Sequence, residues 1–292
     1  MLDRFRTSTP ESRVASVSNM GSESPLFATL RRIRDLAGLL GDRWVTIAML
    51  GSIVLVWVAV TRLGLVRDLF LPSPALLWAG FVDLLENGYK SRTLWEHAAL
   101  SLERVLGGFM TGAMVGTMLG LGMGYNRKIE AFFSPFIEFL RPLPQLAYLV
   151  LLIVWFGIGE TPKIILLFLT ALPVTAVAAI DGVKGTSIQR MQAARSLGAG
   201  EWQIFRYVVL PSALHEIFTG ARLAIGVVYA TLIAAEMIAG STGLGWMILD
   251  AGRFLRSEYV FVGIMIIGLL GFGLDRLLLA LERHIVHWAG KS

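Results

Sequence analysis

The sequence contains no cysteine, so it can hold neither a disulfide framework nor a thiolate for metal binding or nucleophilic chemistry. It is also poor in charge: 16% of its residues are Asp, Glu, Lys or Arg, against about a quarter in soluble domains, while 55% are apolar. That deficit excludes a water-soluble globular protein of this length and points to a bilayer. Histidine is scarce, and His97, His215, His284 and His287 all fall at expected helix ends. Only the last two share a helix face, without the neighbours a metal site needs. A nucleotide-binding loop is missing as well, because Ile285 stands five residues before Gly290-Lys291-Ser292, where such a loop needs glycine. No basic-aromatic stripe accompanies the net charge of +5, so a nucleic-acid partner is not expected.

Long apolar runs fill the rest of the chain. A span needs roughly 20 mostly apolar residues, and six stretches qualify: 44–61, 98–124, 135–156, 163–180, 217–239 and 259–280. The expected fold is therefore all-α, a polytopic membrane protein with six transmembrane helices. Fifteen Lys and Arg fall on one side of this topology and seven on the other, which places both termini inside by the positive-inside rule. Residues 1–25, rich in Ser, Thr and Arg, read as a disordered cytoplasmic tail. In 26–42, Leu26, Leu30, Ile33, Ala37 and Leu40 oppose Arg31, Arg32 and Arg34, the pattern of a helix on the inner leaflet or of a plain solvated helix. Residues 43–93 hold the first span and an outer amphipathic segment after Pro72 and Pro74; 94–281 form the main domain; 282–292 form a second cytoplasmic tail.

Within the spans, Gly108, Gly112, Gly116, Gly120 and Gly124 recur every fourth residue, a stripe that lets two helix backbones approach closely. Pro142 and Pro144 remove two backbone donors and should kink the inner end of the third span; Pro173 does the same in the fourth. Intramembrane charge requires a reason. Arg104 suits an anionic substrate, since a guanidinium matches sulfonate or nitrate oxygens, and it also suits a structural pairing with Glu236 or a carbonyl. Arg141 is expected to pair locally with Glu138, and Arg222 to reach the interface alone. Tyr148, Trp155 and Tyr229 complete the candidate pathway.

Residues 187–211 cannot cross a membrane. Helix formers lead to Gly198, which can end a helix in the left-handed conformation; a second helix follows, and Pro211 fits the first turn of a third. The spacing Gln192-Ala193-Ala194, three residues, Gly198, nine residues, Val208, one residue, Leu210-Pro211 resembles the cytoplasmic signature of type I ABC importer permeases of the MetI-like fold, with Gln192 in place of the family's Glu. Arg141-Pro142-Leu143-Pro144, Trp155-Phe156-Gly157-Ile158-Gly159-Glu160 and Gly243-Leu244-Gly245-Trp246-Met247-Ile248 extend the likeness toward permeases for taurine, alkanesulfonates, nitrate and bicarbonate.

The resemblance implies a bacterial inner-membrane homodimer with two ATPase subunits, an external substrate-binding protein, surrounding lipid and a small anionic substrate. It implies no cofactor in this chain, with ATP and magnesium on the ATPase. Gln192, Ala193, Ala194, Arg195, Leu197, Gly198, Ala199, Leu210 and Pro211 would form the ATPase-coupling segment. An ion-coupled transporter using Arg104 and Glu236 is the competing expectation. A membrane enzyme would need a catalytic set that these residues do not supply.

Overall fold

The structure, a computed structural model, describes residues 42–286. The expected tail at 1–25, nearly all of the interfacial helix at 26–42, and residues 287–292 lie outside the described residues. Two units are distinguished, residues 1–65 and 66–292.

In the first unit, helix α1 (Asp42–Arg62) is 21 residues long, about 31 Å at 1.5 Å per residue, and matches the first expected span. Its side chains from Trp44 to Val56 are exposed.

The second unit is helical apart from an isolated bridge between Tyr89 and Arg92. Helix α2 (Pro74–Glu86) begins at Ser73, whose hydroxyl accepts from the Leu76 amide, with Pro74 in its first turn. Helix α3 (Leu94–Tyr125) opens on a capping box, in which Thr93 and Glu96 satisfy each other's backbone amides. It packs along α6 (Glu160–Lys184) through the glycine stripe. A Cβ on Gly108 would meet Leu167, one on Gly112 would meet Phe168 and Ala171, and one on Gly116 would meet Leu172 and Thr175. The stripe is thus the seam between two helices of one chain, close enough for backbone dispersion contacts.

The third expected span is not one helix. Helix α4 (Arg127–Leu140) and helix α5 (Gln145–Phe156) are bent 97° apart across a four-residue break. Pro142 and Pro144 are expected to kink the span; two positions apart, they remove the backbone donors on either side of Leu143, and the helix stops instead of bending. Among the described residues there are therefore five candidate spans, or six if the broken pair counts as one.

After α6 come α7 (Ile188–Ser196), α8 (Glu201–Ile204), a π turn (Phe205–Val209) and α9 (Leu210–Ala239). Pro211 does not start a separate helix. The Leu210 amide donates to the Phe205 carbonyl, five residues back, so the missing Pro211 N–H falls inside a locally widened turn while the helix continues. Helix α10 (Leu244–Arg253) and helix α11 (Ser257–Ile285) complete the unit. The main core gathers Val105 and Phe109 of α3, Leu167 and Ala171 of α6, Ile225, Val228 and Leu232 of α9, and Leu274 of α11.

Candidate functional site

The elbow at Gly198 is built from backbone geometry. Gly198 has φ of +84°, the Gly198 amide donates to the Arg195 carbonyl at 2.9 Å, and the Ala199 amide donates to the Ala194 carbonyl at 3.0 Å. These are the two bonds of a Schellman cap. Ala194 and Ala199, whose backbones form the longer bond, both pack on the cluster of Val183, Ile204, Val209 and Ala213, so small side chains let the corner sit against the bundle. Glu201 then fastens it: the Arg195 guanidinium donates to this carboxylate at 3.1 Å, and the Tyr125 hydroxyl at the end of α3 donates to it at 2.6 Å. Sequence analysis had not singled out Glu201, because nothing in its local spacing brings it to Tyr125. Beyond the cap the corner is bare and apolar, with Leu197 88%, Trp202 71% and Tyr207 73% exposed. Gln192, Ala193 and Arg195 are exposed too, Leu210 and Pro211 half-buried.

At the opposite end of the bundle the structure joins Arg104 to Glu236, and adds Glu160. Arg104 is 4% exposed and Glu236 fully buried. The guanidinium donates to Glu236 Oε1 at 2.6 Å, to Glu160 Oε1 at 2.8 Å, to the Thr242 carbonyl at 3.1 Å and hydroxyl at 2.9 Å, and through Nε to Glu160 again. The Glu236 carboxylate also accepts from the Ser101 hydroxyl at 2.8 Å and the Gly245 amide at 2.9 Å. His97 Nδ1 accepts from the Gly243 amide at 3.1 Å, which leaves the proton on Nε2, facing the Tyr89 carbonyl. One cation thus ties α3, the start of α6 and the turn between α9 and α10. All three nitrogens of Arg104 are occupied by protein groups, and the two carboxylates balance Arg104 and Lys163, whose ammonium donates to Glu160 at 3.2 Å.

The other candidate pathway residues lie in three different surroundings. Tyr148 is half-buried and lines a cavity beside the α4–α5 break. Trp155 is 66% exposed on α5, as are Val150, Val154 and Phe156 on the same helix and Ile158 just past its end. Tyr229 is buried in the main core against Gly271, its hydroxyl without a partner. Two expected charge arrangements are corrected. Arg141 forms no ion pair with Glu138: it caps α4 in helical conformation, its amide on the Ile137 carbonyl, but its side chain lines the cavity beside the break. Arg222 is not alone, since it donates to Asp275 of α11 at 3.0 Å. Among the described residues no group of His, Asp and Glu is arranged to hold a metal ion.

The bundle thus has helices of bilayer length, an ion-paired network at one end and, at the other, a capped corner with exposed Leu197, Trp202 and Tyr207. Residues 105–287 match the family described as the binding-protein-dependent transport system inner membrane component. The chain is 40% identical over 247 residues to the taurine transport system permease protein TauC of Escherichia coli (strain K12), covering 84% of this chain and 90% of that protein. It is 34% identical over 236 residues to the putative aliphatic sulfonates transport permease protein SsuC of Bacillus subtilis (strain 168), covering 81% and 84%. It is 30% identical over 259 residues to the bicarbonate transport system permease protein CmpB of Synechococcus elongatus, covering 86% and 88%. Among solved structures, the fold resembles the inward-facing MetNI methionine ABC transporter, with TM-score 0.53, 22% identity, and coverage of 71% of this chain and 98% of that one. An amino acid ABC transporter gives TM-score 0.56 at 20% identity, covering 73% and 97%.

The chain belongs to the binding-protein-dependent transport system inner membrane component family. It is a multi-pass permease subunit of an ABC importer, a transport component and not an enzyme, and ATP is used by a separate ATPase.

Proposed function

We propose that two copies of this chain enclose a pathway for taurine or an alkanesulfonate, and that two ATPase subunits holding magnesium and ATP dock on the paired elbows. A soluble receptor delivers substrate at the end carrying Arg104. In this reading the elbow end and both termini face the cytoplasm of a bacterial cell. The observation that carries it is the bare corner of Leu197, Trp202 and Tyr207 on a backbone capped and fastened at Gly198 and Glu201. Exposed aromatic and aliphatic side chains on a rigid element are what an obligate protein interface covers. The taurine and sulfonate permeases among the relatives support the choice of substrate.

Mechanically, closure of the ATPase dimer would press the elbows together. The π turn and α9 run on from α8 without interruption, so a push at Trp202 is transmitted along a helix that reaches Glu236. Gly198 offers a clean test, because no atom lies within 4 Å of where a Cβ would be, and a substitution acts through backbone conformation alone. Gly198→Val disfavours positive φ, whereas Gly198→Asn tolerates it. In reconstituted complex, the Val variant should hydrolyse ATP with little taurine uptake and the Asn variant should stay coupled. Normal uptake by the Val variant would refute a coupling role for the elbow. The bicarbonate permease among the relatives supports a second substrate class, and uptake of labelled bicarbonate in place of either sulfonate would select it.

A further inference from the structure

We propose that the cavity beside the α4–α5 break is a transit subsite for a zwitterionic aminosulfonate, with Arg141 receiving the sulfonate and Asp181 and Glu216 receiving the ammonium group. This rests on the reading that the chain passes sulfonates. The cavity has a volume of about 330 Å³, within the range that holds small ligands. Its polar lining comprises Arg141, Gln145, Tyr148, Thr170, Asp181 and Glu216, with Thr219 at the side. Thr170 and Asp181 are eleven residues apart on α6, about 16 Å along the axis, so the hollow runs from mid-helix toward the elbow end. It therefore lies where a solute leaving the bundle would pass.

The charges in this hollow differ from the other intramembrane charges of the chain. Arg104 is held by two glutamates and Arg222 by Asp275, and Lys184 is paired with Glu130 at 2.6 Å. Among the described residues Arg141, Asp181 and Glu216 enter no ion pair and no side-chain hydrogen bond, although all three line one cavity. Arg141 is the last residue of helical conformation before the break, and its side chain lines the cavity without pairing with Glu138.

A guanidinium free of partners offers a forked pair of donors to sulfonate oxygens. Two carboxylates against one cation give the wall a net charge of −1, which favours, among sulfonates, one that also carries an ammonium group. A molecule with a sulfonate at one end and an ammonium at the other meets both signs at once. Asp181 and Glu216 are solvent-exposed, so each contact is screened and weak, as a site that must release its solute requires.

The test compares taurine with ethanesulfonate, which lacks the amino group, in cells whose own sulfonate importers are deleted and which express this permease with one fixed receptor and ATPase. Receptor preference is then common to all variants, and changes in the uptake ratio report on the permease. Arg141→Gln should depress uptake of both compounds and Arg141→Lys should restore much of it. Asp181→Asn combined with Glu216→Gln should lower the taurine-to-ethanesulfonate ratio about fivefold, the scale of two screened ion pairs. Wild-type uptake by Arg141→Gln, or an unchanged ratio in the double variant, would overturn the subsite. For a variant that moves neither compound, binding of radiolabelled taurine to the purified permease–ATPase complex without receptor decides: lost binding upholds the subsite, and wild-type binding overturns it. Wild-type cells that take up neither sulfonate would remove the functional reading, and the subsite with it.

Discussion

Replacing Arg104 with glutamine would leave the fully buried Glu236 carboxyl without its cation. Breaking such a pair costs about 3–5 kcal/mol, because the remaining charge keeps its desolvation penalty and loses its compensation. Arg104→Gln should lower the melting temperature of the purified protein in detergent, and Glu236→Gln added to it should recover part of the loss. Equal melting of the single variant and wild type would show that the network carries no stability.

A second polar cluster lies outside the spans, where the Tyr89 hydroxyl donates to Asp250 at 2.7 Å and Lys90 pairs with the same carboxylate at 2.6 Å. Burial pushes the Asp250 carboxyl up, but the Lys90 ammonium and the Tyr89 hydroxyl outweigh it and hold the group below the ordinary aspartate range. Burial first, and the Asp250 carboxylate second, push the Tyr89 phenol up. A depressed folded-state pKa contributes stability that is full above the unfolded aspartate value, about 3.9, and is lost as pH falls through the lower folded value. Asp250→Asn should therefore melt earlier than wild type at pH 7 and show a shallower loss of melting temperature below about pH 4.

Helices α3 and α6 meet along a face on which any side chain is too large. Gly116→Leu would force its side chain into Thr175 and the Leu172 carbonyl, and the seam would have to part. Met114 and Met118, two positions away on either side, are 65% and 64% exposed. Leucine at either methionine should leave membrane abundance unchanged, while Gly116→Leu should reduce the folded fraction severely, as read by fluorescence-detected size exclusion. The π turn before α9 has a similarly local cause. Pro211→Ala restores a backbone donor and lets the widened turn relax to an α-helix, which would rotate the elbow relative to α9 by about 100°, one residue of helix. Uptake per ATP hydrolysed should fall in that variant at normal protein levels.

Because the chain carries no native cysteine, introduced thiols report on topology and assembly without background. With the proposed orientation, an impermeant maleimide should label Leu197→Cys from the cytoplasmic side and Phe254→Cys from the outside; both positions are well exposed, at 88% and 65%. The opposite pattern would invert the topology and remove the elbow from any cytoplasmic ATPase. The exposed apolar side chains of α5 and Ile158 bear on the pairing of two copies. If they line the seam between them, Val154→Cys or Ile158→Cys should give a disulfide-linked dimer on mild oxidation, and an exclusively monomeric product would argue for a different seam.

Hydropathy and glycine spacing are properties of consecutive residues, and from them the spans, the α3 seam and the left-handed corner at Gly198 were legible before any coordinates. Each depends on a local rule: an apolar run crosses lipid, a missing Cβ permits close approach, and a free φ ends a helix. Side-chain partners across the bundle are set by other means. Two charges inside spans made a pairing of Arg104 with Glu236 an expectation of the sequence, but nothing in the spacing announced that Glu160, 56 positions away, shares the same guanidinium. The same applies to Glu201 under Tyr125 and to Arg141, whose side chain lines a cavity shared with Asp181 of α6 and Glu216 of α9 and makes no pair with Glu138. Which charges neutralise one another, and which are left facing a cavity, was fixed only when the helices packed, because electrostatic pairing acts over a few ångströms of space irrespective of distance along the chain.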